Sequence, residues 1–348
     1  MKPISQHKIL FSMVLALGIV MPLHGAGVLT LNATGVSSGF TLTTFATINP
    51  GATLNTGPYG VAVTSGHVLV NNYVNNTLYV FNDTDGQTTA SALSSITPSG
   101  SLDTAFASVG GVAYGGVFPQ FVQFNSNGTV NHALTGVTQT TYFGMAGNPV
   151  SGHLLATTGQ GQIIDINPAG NGGTGSATVV TSPGSGYDGV TVSPDGATVY
   201  FEQNSHIYGY TIATGALVFD SGALAGGPDG IGVISSNNSL NGQLVVNFNG
   251  VGLVGSVGLL NPTTKVLTMI ATGGTRGDYV SPDPTNGSVF LDYSDVVYRL
   301  SCGPNCAIGG AALPATPAPA TWLLVGIGFA CLLLYQVRTR LLRLFQGR

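Results

Sequence analysis

The clearest alternation of apolar and polar positions lies in residues 186–220, GYDGVTVSPDGATVYFEQNSHIYGYTIATGALVFD. Its four β-prone runs are Val190–Val192, Thr198–Phe201, Ile207–Ile212 and Leu217–Phe219. The connections between them contain Ser-Pro-Asp-Gly, Gln-Asn-Ser and Ala-Thr-Gly, which favour tight turns. Val199 and Phe201 point to one face and Tyr200 to the other, so both faces must be covered. The segment predicts a four-stranded sheet packed between similar sheets, as in a blade of a β-propeller.

Shorter versions of this opening recur along the chain, as GPYGVAV at 57–63, SVGGVAY at 108–114, YFGMAG at 142–147, YDGVTV at 187–192, PDGIGV at 228–233 and GDYVSP at 277–282. The five intervals from Gly60 to Asp278 average about 44 residues, a usual blade length. We therefore expect an all-β fold, a β-propeller of six blades that occupies residues 27–306. Seven blades remain an alternative if residues 28–56 hold more of a blade. We expect Phe40–Ile48 to complete the last blade and close the ring.

Two stretches resemble repeats of known propeller families. Residues 57–81, GPYGVAVTSGHVLVNNYVNNTLYVF, resemble the NHL-type repeat, and SPDGATVYF at 193–201 resembles the YVTN-type repeat. These resemblances imply a propeller and leave its function open, because one fold supports many functions.

Charged residues make up only 6% of the 348-residue chain, and glycine occurs 52 times. Dense turns and an uncharged polar surface are typical of an extracellular all-β protein, since soluble domains average about 25% charged residues. Between the termini, the chain carries Lys265, Arg276 and Arg299 against thirteen acidic residues. This excess of negative charge argues against binding nucleic acid through its phosphates.

The cysteines indicate the compartment. Cys302 and Cys306 flank Gly-Pro-Asn, and we expect a small disulfide loop in an oxidising compartment. Two unpaired thiols are the alternative. A metal site is less favoured because no further cysteine or nearby histidine completes a ligand set.

Residues 1–26 follow the plan of a secretory signal peptide. Lys2 and Lys8 precede an apolar run from Ile9 to Val20, and the segment ends in small residues near Ala26. The apolar run is short for a membrane span. We therefore expect export, with cleavage near Ala26.

The C-terminal end has three parts: a linker at 307–319, an apolar stretch at 320–337 and a basic tail at 338–348. The apolar stretch is long enough to form a transmembrane helix, and the arginines after it predict a cytoplasmic tail. The order of these parts resembles the PEP-CTERM sorting signal that exosortases recognise, although the usual glutamate is absent from Pro317-Ala318-Pro319. The residues of this predicted signal are Pro317, Pro319, Trp322, Arg338, Arg340 and Arg343. The resemblance implies a sorting protease as partner and delivery to the cell envelope or surface; a plain membrane anchor is the alternative.

Three aspartates open the inner strands of successive predicted blades: Asp188 in YDG, Asp229 in PDG and Asp278 in GDY. Such positions surround one mouth of a propeller channel, so the carboxylates are a candidate site for Ca²⁺ or another hard cation. In the alternative interpretation each aspartate accepts hydrogen bonds from the backbone of its own turn. Glu202, the single glutamate, is expected at a blade edge or rim.

No stretch combines an acid, a base and a nucleophile. Propeller lactonases of the gluconolactonase family bind their metal partly through a glutamate of the first blade, and residues 27–201 contain no glutamate. We therefore expect an exported, envelope-anchored or surface-sorted protein with a binding or structural role toward a protein or glycan ligand. The alternative is a metal-dependent hydrolase or lyase with its site at the channel mouth.

Overall fold

The computed structural model describes residues 27–52, 57–137, 140–185, 187–250 and 254–309. The predicted signal peptide, transmembrane helix, basic tail and sorting-signal residues lie outside the described residues. Within these described ranges no helix has the length and apolar character needed to cross a membrane.

The described chain begins with a short strand, a helical turn and a longer strand: β1 (Thr30–Leu31), α1 (Ala33–Ser37) and β2 (Thr41–Thr47). Asn32 caps α1, because its side-chain oxygen accepts the N–H of Gly35 at 2.9 Å.

Four compact sheets follow in chain order. Blade 1 comprises β3 (Val61–Thr64), β4 (His67–Asn72), β5 (Thr77–Asn82) and, after the short β6 (Gln87–Thr88), β7 (Ser94–Ile96). Blade 2 comprises β8 (Ser101–Val109), β9 (Val112–Phe118), β10 (Gln120–Phe124) and β11 (Val130–Ala133). Blade 3 comprises β12 (Tyr142–Gly147), β13 (Leu154–Thr158), β14 (Ile163–Asn167) and β15 (Ser176–Thr181). Blade 4 comprises β16 (Tyr187–Val192), β17 (Thr198–Gln203), β18 (His206–Thr211) and β19 (Leu217–Asp220).

Two larger sheets complete the ring. Blade 5 comprises β20 (Pro228–Ser236), β21 (Leu244–Phe248), β22 (Gly255–Leu260) and β23 (Leu267–Gly274), with β1 added at its outer edge. Blade 6 comprises β24 (Gly277–Pro282), β25 (Val289–Tyr293) and β26 (Val296–Ser301), followed outward by β2 and β6. A last strand, β27 (Cys306–Ile308), pairs with β20. The remaining helical turns are α2 (Gly170–Gly173) and the 3₁₀ turns Tyr73–Asn75 and Thr89–Ser91. The described residues thus form a six-bladed propeller, which confirms the predicted fold.

The N-terminal strand closes the ring. β2 pairs antiparallel with β26, from Thr41 opposite Ser301 to Thr47 opposite Val296, as the pattern at Phe40–Ile48 predicted. β2 lies near the N-terminal end of the described chain, and β26 lies near its C-terminal end. Their pairing therefore links the two ends of the chain and closes the ring.

Arg299 reinforces this closure. Its guanidinium lies 2.8 Å from Asp85 and 2.7 Å from Asp283, and it also binds Asp83. It packs over the Phe290 ring at 4.6 Å. Because Asp83 and Asp85 follow β5 of blade 1, the arginine ties blade 6 to the next blade round the ring.

Two predicted boundaries are corrected. The Gly-Gly at 110–111, taken as a blade opening, is the turn between β8 and β9, and both glycines have positive φ. Blade 2 instead begins with β8. This strand contains Asp103, which the recurring sequence pattern did not align with the aspartates of the other blades. At the C-terminal end, the Cys302–Cys306 disulfide reverses the chain, and Ala307 and Ile308 lie buried in β27 rather than in a linker.

The inner strands contact one another through glycines. Each of β12, β16 and β20 has a register shift at its start, and the glycine there faces the next blade. A Cβ added to Gly144 would lie 2.1 Å from the carbonyl oxygen of Asp188. One added to Gly189 would lie 2.1 Å from the carbonyl oxygen of Asp229. At Gly230 the same atom would lie 2.5 Å from the carbonyl oxygen of Asp278. The blades therefore approach as backbone against backbone around the channel.

Replacing Gly189 by alanine should destabilise the propeller by roughly 1–3 kcal/mol or more, because the new methyl group would overlap the Asp229 carbonyl of the next blade. Chemical denaturation measures the loss. Gly159→Ala is the control, since its nearest neighbours would lie 3.6 Å away. Equal effects of the two substitutions would contradict the proposed packing role.

Candidate functional site

The register shifts bring Asp188, Asp229 and Asp278 together at one mouth of the channel, where the inner strands begin. Asp229 and Asp278 are buried, at 1% and 2% exposure. The glycine after Asp188 packs against the carbonyl of Asp229, and Arg276 contacts both Asp229 and Asp278. The structure thus brings together the three aspartates that the sequence singled out.

Arg276 supplies the positive charge of this cluster. Its Nη2 atom lies 3.2 Å from Asp278 Oδ1 and 3.6 Å from Asp229 Oδ2, and its Nε donates to Asn249 at 2.7 Å. In the described part of the chain, no group of three or more histidine, cysteine, aspartate or glutamate side chains has an arrangement that could hold a metal ion. A guanidinium therefore lies beside the carboxylates for which Ca²⁺ was predicted. Their polar contacts go to side chains rather than to the backbone of their own turns.

Tyr279 crosses the channel beside these carboxylates. Its hydroxyl group donates a hydrogen bond to Asp188, and its oxygen lies 3.0 Å from Thr104 Oγ1. These residues belong to blades 6, 4 and 2, so one side chain connects alternate blades across the axis. The tyrosine is only 8% exposed. Burial, followed by the charges of Asp188 and Asp229, raises its pKa well above the usual value.

A second group of polar residues lies on the second strands of several blades, near the start of the inner strand. Asn71 donates to the carbonyl of Asp103 at 2.6 Å, and Asn247 donates to that of Asp278 at 3.0 Å. Asp292 accepts the N–H of Gly60 at 2.5 Å. These bonds join blade 1 to blade 2, blade 5 to blade 6 and blade 6 to blade 1.

Sequence analysis did not find this group. Its detectable signal is a single polar residue inside an otherwise apolar strand, as in VVNF and FLDY. Such a residue has to find a buried hydrogen-bond partner, and the next blade provides it.

Glu202 occupies the equivalent position in blade 4. It differs from Asn71, Asn247 and Asp292 in that its hydrogen-bond partner lies in its own blade. It is buried at 8% exposure, which corrects its predicted rim location. It accepts the N–H of Ser205 at 2.9 Å, within its own hairpin. Burial raises its pKa to about 8; the charge of Asp188 adds to that rise, while the Ser205 hydrogen bond opposes it.

Burial favours the protonated form of the carboxyl groups in this cluster. Burial, reinforced by the charges of Asp188 and Asp278, raises the pKa of Asp229 well above its ordinary value. Burial also raises the pKa of Asp278 to about 7, against the opposing effect of Arg276. Neither oxygen of Asp229 has a conventional donor among the described residues. A proton on Asp229 therefore allows it to donate to Asp188 or Asp278 instead of repelling them.

The other half of this mouth is aromatic. Tyr59 of blade 1 packs against Tyr73 at 5.8 Å and against Tyr279 at 6.2 Å between ring centroids. Phe143 starts the inner strand of blade 3, and it is 36% exposed. The mouth thus presents aromatic rings on one side and buried carboxyl groups with Arg276 on the other.

Stability should fall as pH rises from 5 to 8, and Glu202→Gln should reduce that fall. The unfolded glutamate loses its proton near pH 4.5, whereas the folded one keeps it until about pH 8. Between these pH values the folded state binds more protons than the unfolded state. Glu202 therefore lowers the free energy of unfolding by at most about 1.4 kcal/mol for each pH unit of increase. Denaturation at several pH values gives the slope.

Asp195→Asn provides the control for this experiment. Hydrogen bonds from Ser193 and from the backbone of Ala197 lower the pKa of Asp195, so its contribution is constant between pH 5 and 8. An unchanged slope in Glu202→Gln would show that Glu202 is ionised in the folded protein.

The chain is similar in fold to solved propellers. A gluconolactonase from Xanthomonas campestris is 12% identical with a TM-score of 0.59, and the match covers 79% of this chain and 96% of that one. A second protein described as a putative gluconolactonase is 10% identical with a TM-score of 0.58, covering 79% and 97%. The WD40 propeller domain of Doa1 is 13% identical with a TM-score of 0.51, covering 69% and 77%.

No protein-family model matches the sequence, and no curated protein matches it. At such low identities the structural similarities establish the propeller fold alone.

Proposed function

We propose that this protein is an exported β-propeller that acts as a binding or structural module at the cell envelope. The observation that carries the proposal is the way Arg276 and Tyr279 occupy the carboxylate cluster. Arg276 pairs with Asp229 and Asp278, and Tyr279 binds Asp188 and approaches Thr104. A hydrolytic metal centre needs carboxylates that converge on a cation and an open coordination position. Here the same carboxylates hold the blades together.

Export and sorting are supported by the sequence at both ends. The signal-peptide plan of residues 1–26 and the PEP-CTERM-like order of residues 317–343 point to translocation followed by anchoring or exosortase cleavage. The disulfide between Cys302 and Cys306 suits an oxidising compartment. The proposed location is therefore the outer side of the inner membrane or, after cleavage, the cell surface.

Cell fractionation of a strain carrying the protein with an internal epitope tests this location. We expect full-length protein in the membrane when the sorting enzyme is deleted, and a shortened form at the surface or in the medium when it is present. Replacing Arg338, Arg340 and Arg343 by glutamine should weaken retention of the protein in the membrane, because these positive residues hold the tail in the cytoplasm. Recovery of the wild-type protein from the cytoplasm would refute the proposal.

A metal-dependent hydrolase or lyase is the second candidate. It is favoured by the two buried oxygens of Asp229 and by Asp278 Oδ2, which have no hydrogen-bond donor among the described residues. A cation could satisfy them, although it would have to displace Arg276 or share the cluster with it.

Calcium titration separates the two candidates. If Arg276 serves as the internal cation, millimolar Ca²⁺ should leave the melting temperature of the wild-type protein unchanged. If the carboxylates bind Ca²⁺, the melting temperature should rise with concentration by mass action, and Asp229→Asn should remove most of the rise. Asp195→Asn is the control for a general effect of losing one carboxylate.

A further inference from the structure

Two cavities lie on the face opposite the aspartates, where the inner strands end. One, of about 430 Å³, lies at that mouth of the channel, and the other, of about 450 Å³, lies between blades 2 and 3. Both are lined by Val109, Gly110, Ser151 and Gly152. They therefore form one elongated depression that runs from the channel axis outward, here called the lower groove.

The lower groove has no formal charge in its lining. Among the residues that the structure describes, no aspartate, glutamate, lysine or arginine lines either cavity. The axial half is apolar and is formed by Pro149, Val150, Pro282 and Pro284, and Val150 is 67% exposed. An ionic ligand would find no counter-charge there, so the groove fits an uncharged ligand with an apolar face.

The outer half offers hydrogen-bonding groups. Gln123, His132 and Tyr114 line it, and their side chains form no hydrogen bond with any other described residue. His153 is oriented by Asp165, whose Oδ1 lies 2.8 Å from His153 Nδ1, so its Nε2 is the nitrogen left for a ligand. Amide, imidazole and phenol groups can each donate and accept, as pairing with hydroxyl groups requires.

We propose that the lower groove binds a neutral oligosaccharide. A sugar ring has an apolar C–H face that can pack on Val150 and the prolines, and a rim of hydroxyl groups that both donate and accept. A chain of such rings matches the elongated shape, and the absence of charge in the lining matches an unsubstituted sugar. This inference rests on the proposed binding function and names its ligand class.

A peptide is the competing ligand, but the groove offers fewer suitable binding contacts to a peptide than to a sugar. Peptides bound in extended form gain most of their affinity from an open strand edge. The groove instead presents side chains and turn residues from two blades. The test therefore includes a peptide.

Calorimetric titration of the full-length chain, in a detergent without a sugar headgroup, tests the proposal. The probes are cellohexaose, maltohexaose and xylohexaose, with hexagalacturonate and an uncharged proline-rich decapeptide for comparison. We expect at least one neutral hexasaccharide to bind with a dissociation constant below about 1 mM. Gln123→Ala and His132→Ala should each weaken that binding about fivefold, since each removes a hydrogen bond to the ligand.

Two further variants complete the experiment. Val150→Asp should abolish binding, because it places a charge against the apolar face of the sugar. His206→Ala is the control: His206 also pairs with an aspartate, at 2.8 Å from Asp220, but it does not line the groove. Melting curves identify any variant that fails to fold, and Gln123→Ala alone then suffices for the comparison.

The proposal is overturned if no neutral hexasaccharide binds, if the decapeptide or hexagalacturonate binds more tightly, or if His206→Ala weakens binding as much as His132→Ala does. These outcomes would leave the proposed export and interaction function intact. That function fails separately, if fractionation finds the protein in the cytoplasm.

Discussion

The close backbone contact between neighbouring inner strands is the constraint on which the rest of the structure depends. At Gly144, Gly189 and Gly230 a Cβ would lie only 2.1–2.5 Å from a carbonyl oxygen of the next blade. Only glycine permits this approach, and it sets how near each blade comes to the axis. Six sheets then close around a narrow channel, and the N-terminal strand β2 completes the last of them.

A narrow channel has an electrostatic consequence. The residue before each of these glycines projects its side chain toward the axis, and in blades 4 and 5 that residue is an aspartate. Carboxylates taken out of water and placed beside one another must be protonated or paired. Here burial raises the pKa of Asp229 well above its ordinary value, and Arg276 contacts Asp229 and Asp278. Tyr279 then connects blades 2, 4 and 6 across the same region. The cluster that looked most like a metal site therefore also stabilises the ring.

The two faces of the propeller consequently differ in chemistry. One mouth combines buried carboxyl groups, Arg276 and aromatic rings. The opposite face carries the uncharged lower groove, with its apolar half at the axis and its unpaired amide and imidazole groups toward the rim. In a protein with few charged residues, such a surface suits recognition through hydrogen bonds and apolar contact rather than through long-range electrostatic attraction.

The sequence by itself determined the fold class, because alternating strands with two apolar faces and a recurring opening about every 44 residues require sheets that cover one another. It also identified Asp188, Asp229 and Asp278, which share one place in that repeat. It did not reveal Arg276, Tyr279 or Glu202 as their neighbours, since these residues come from different blades or strands and have no common spacing. Only the tertiary structure revealed that a guanidinium contacts these aspartates, because that contact depends on distances across the channel that no local pattern encodes.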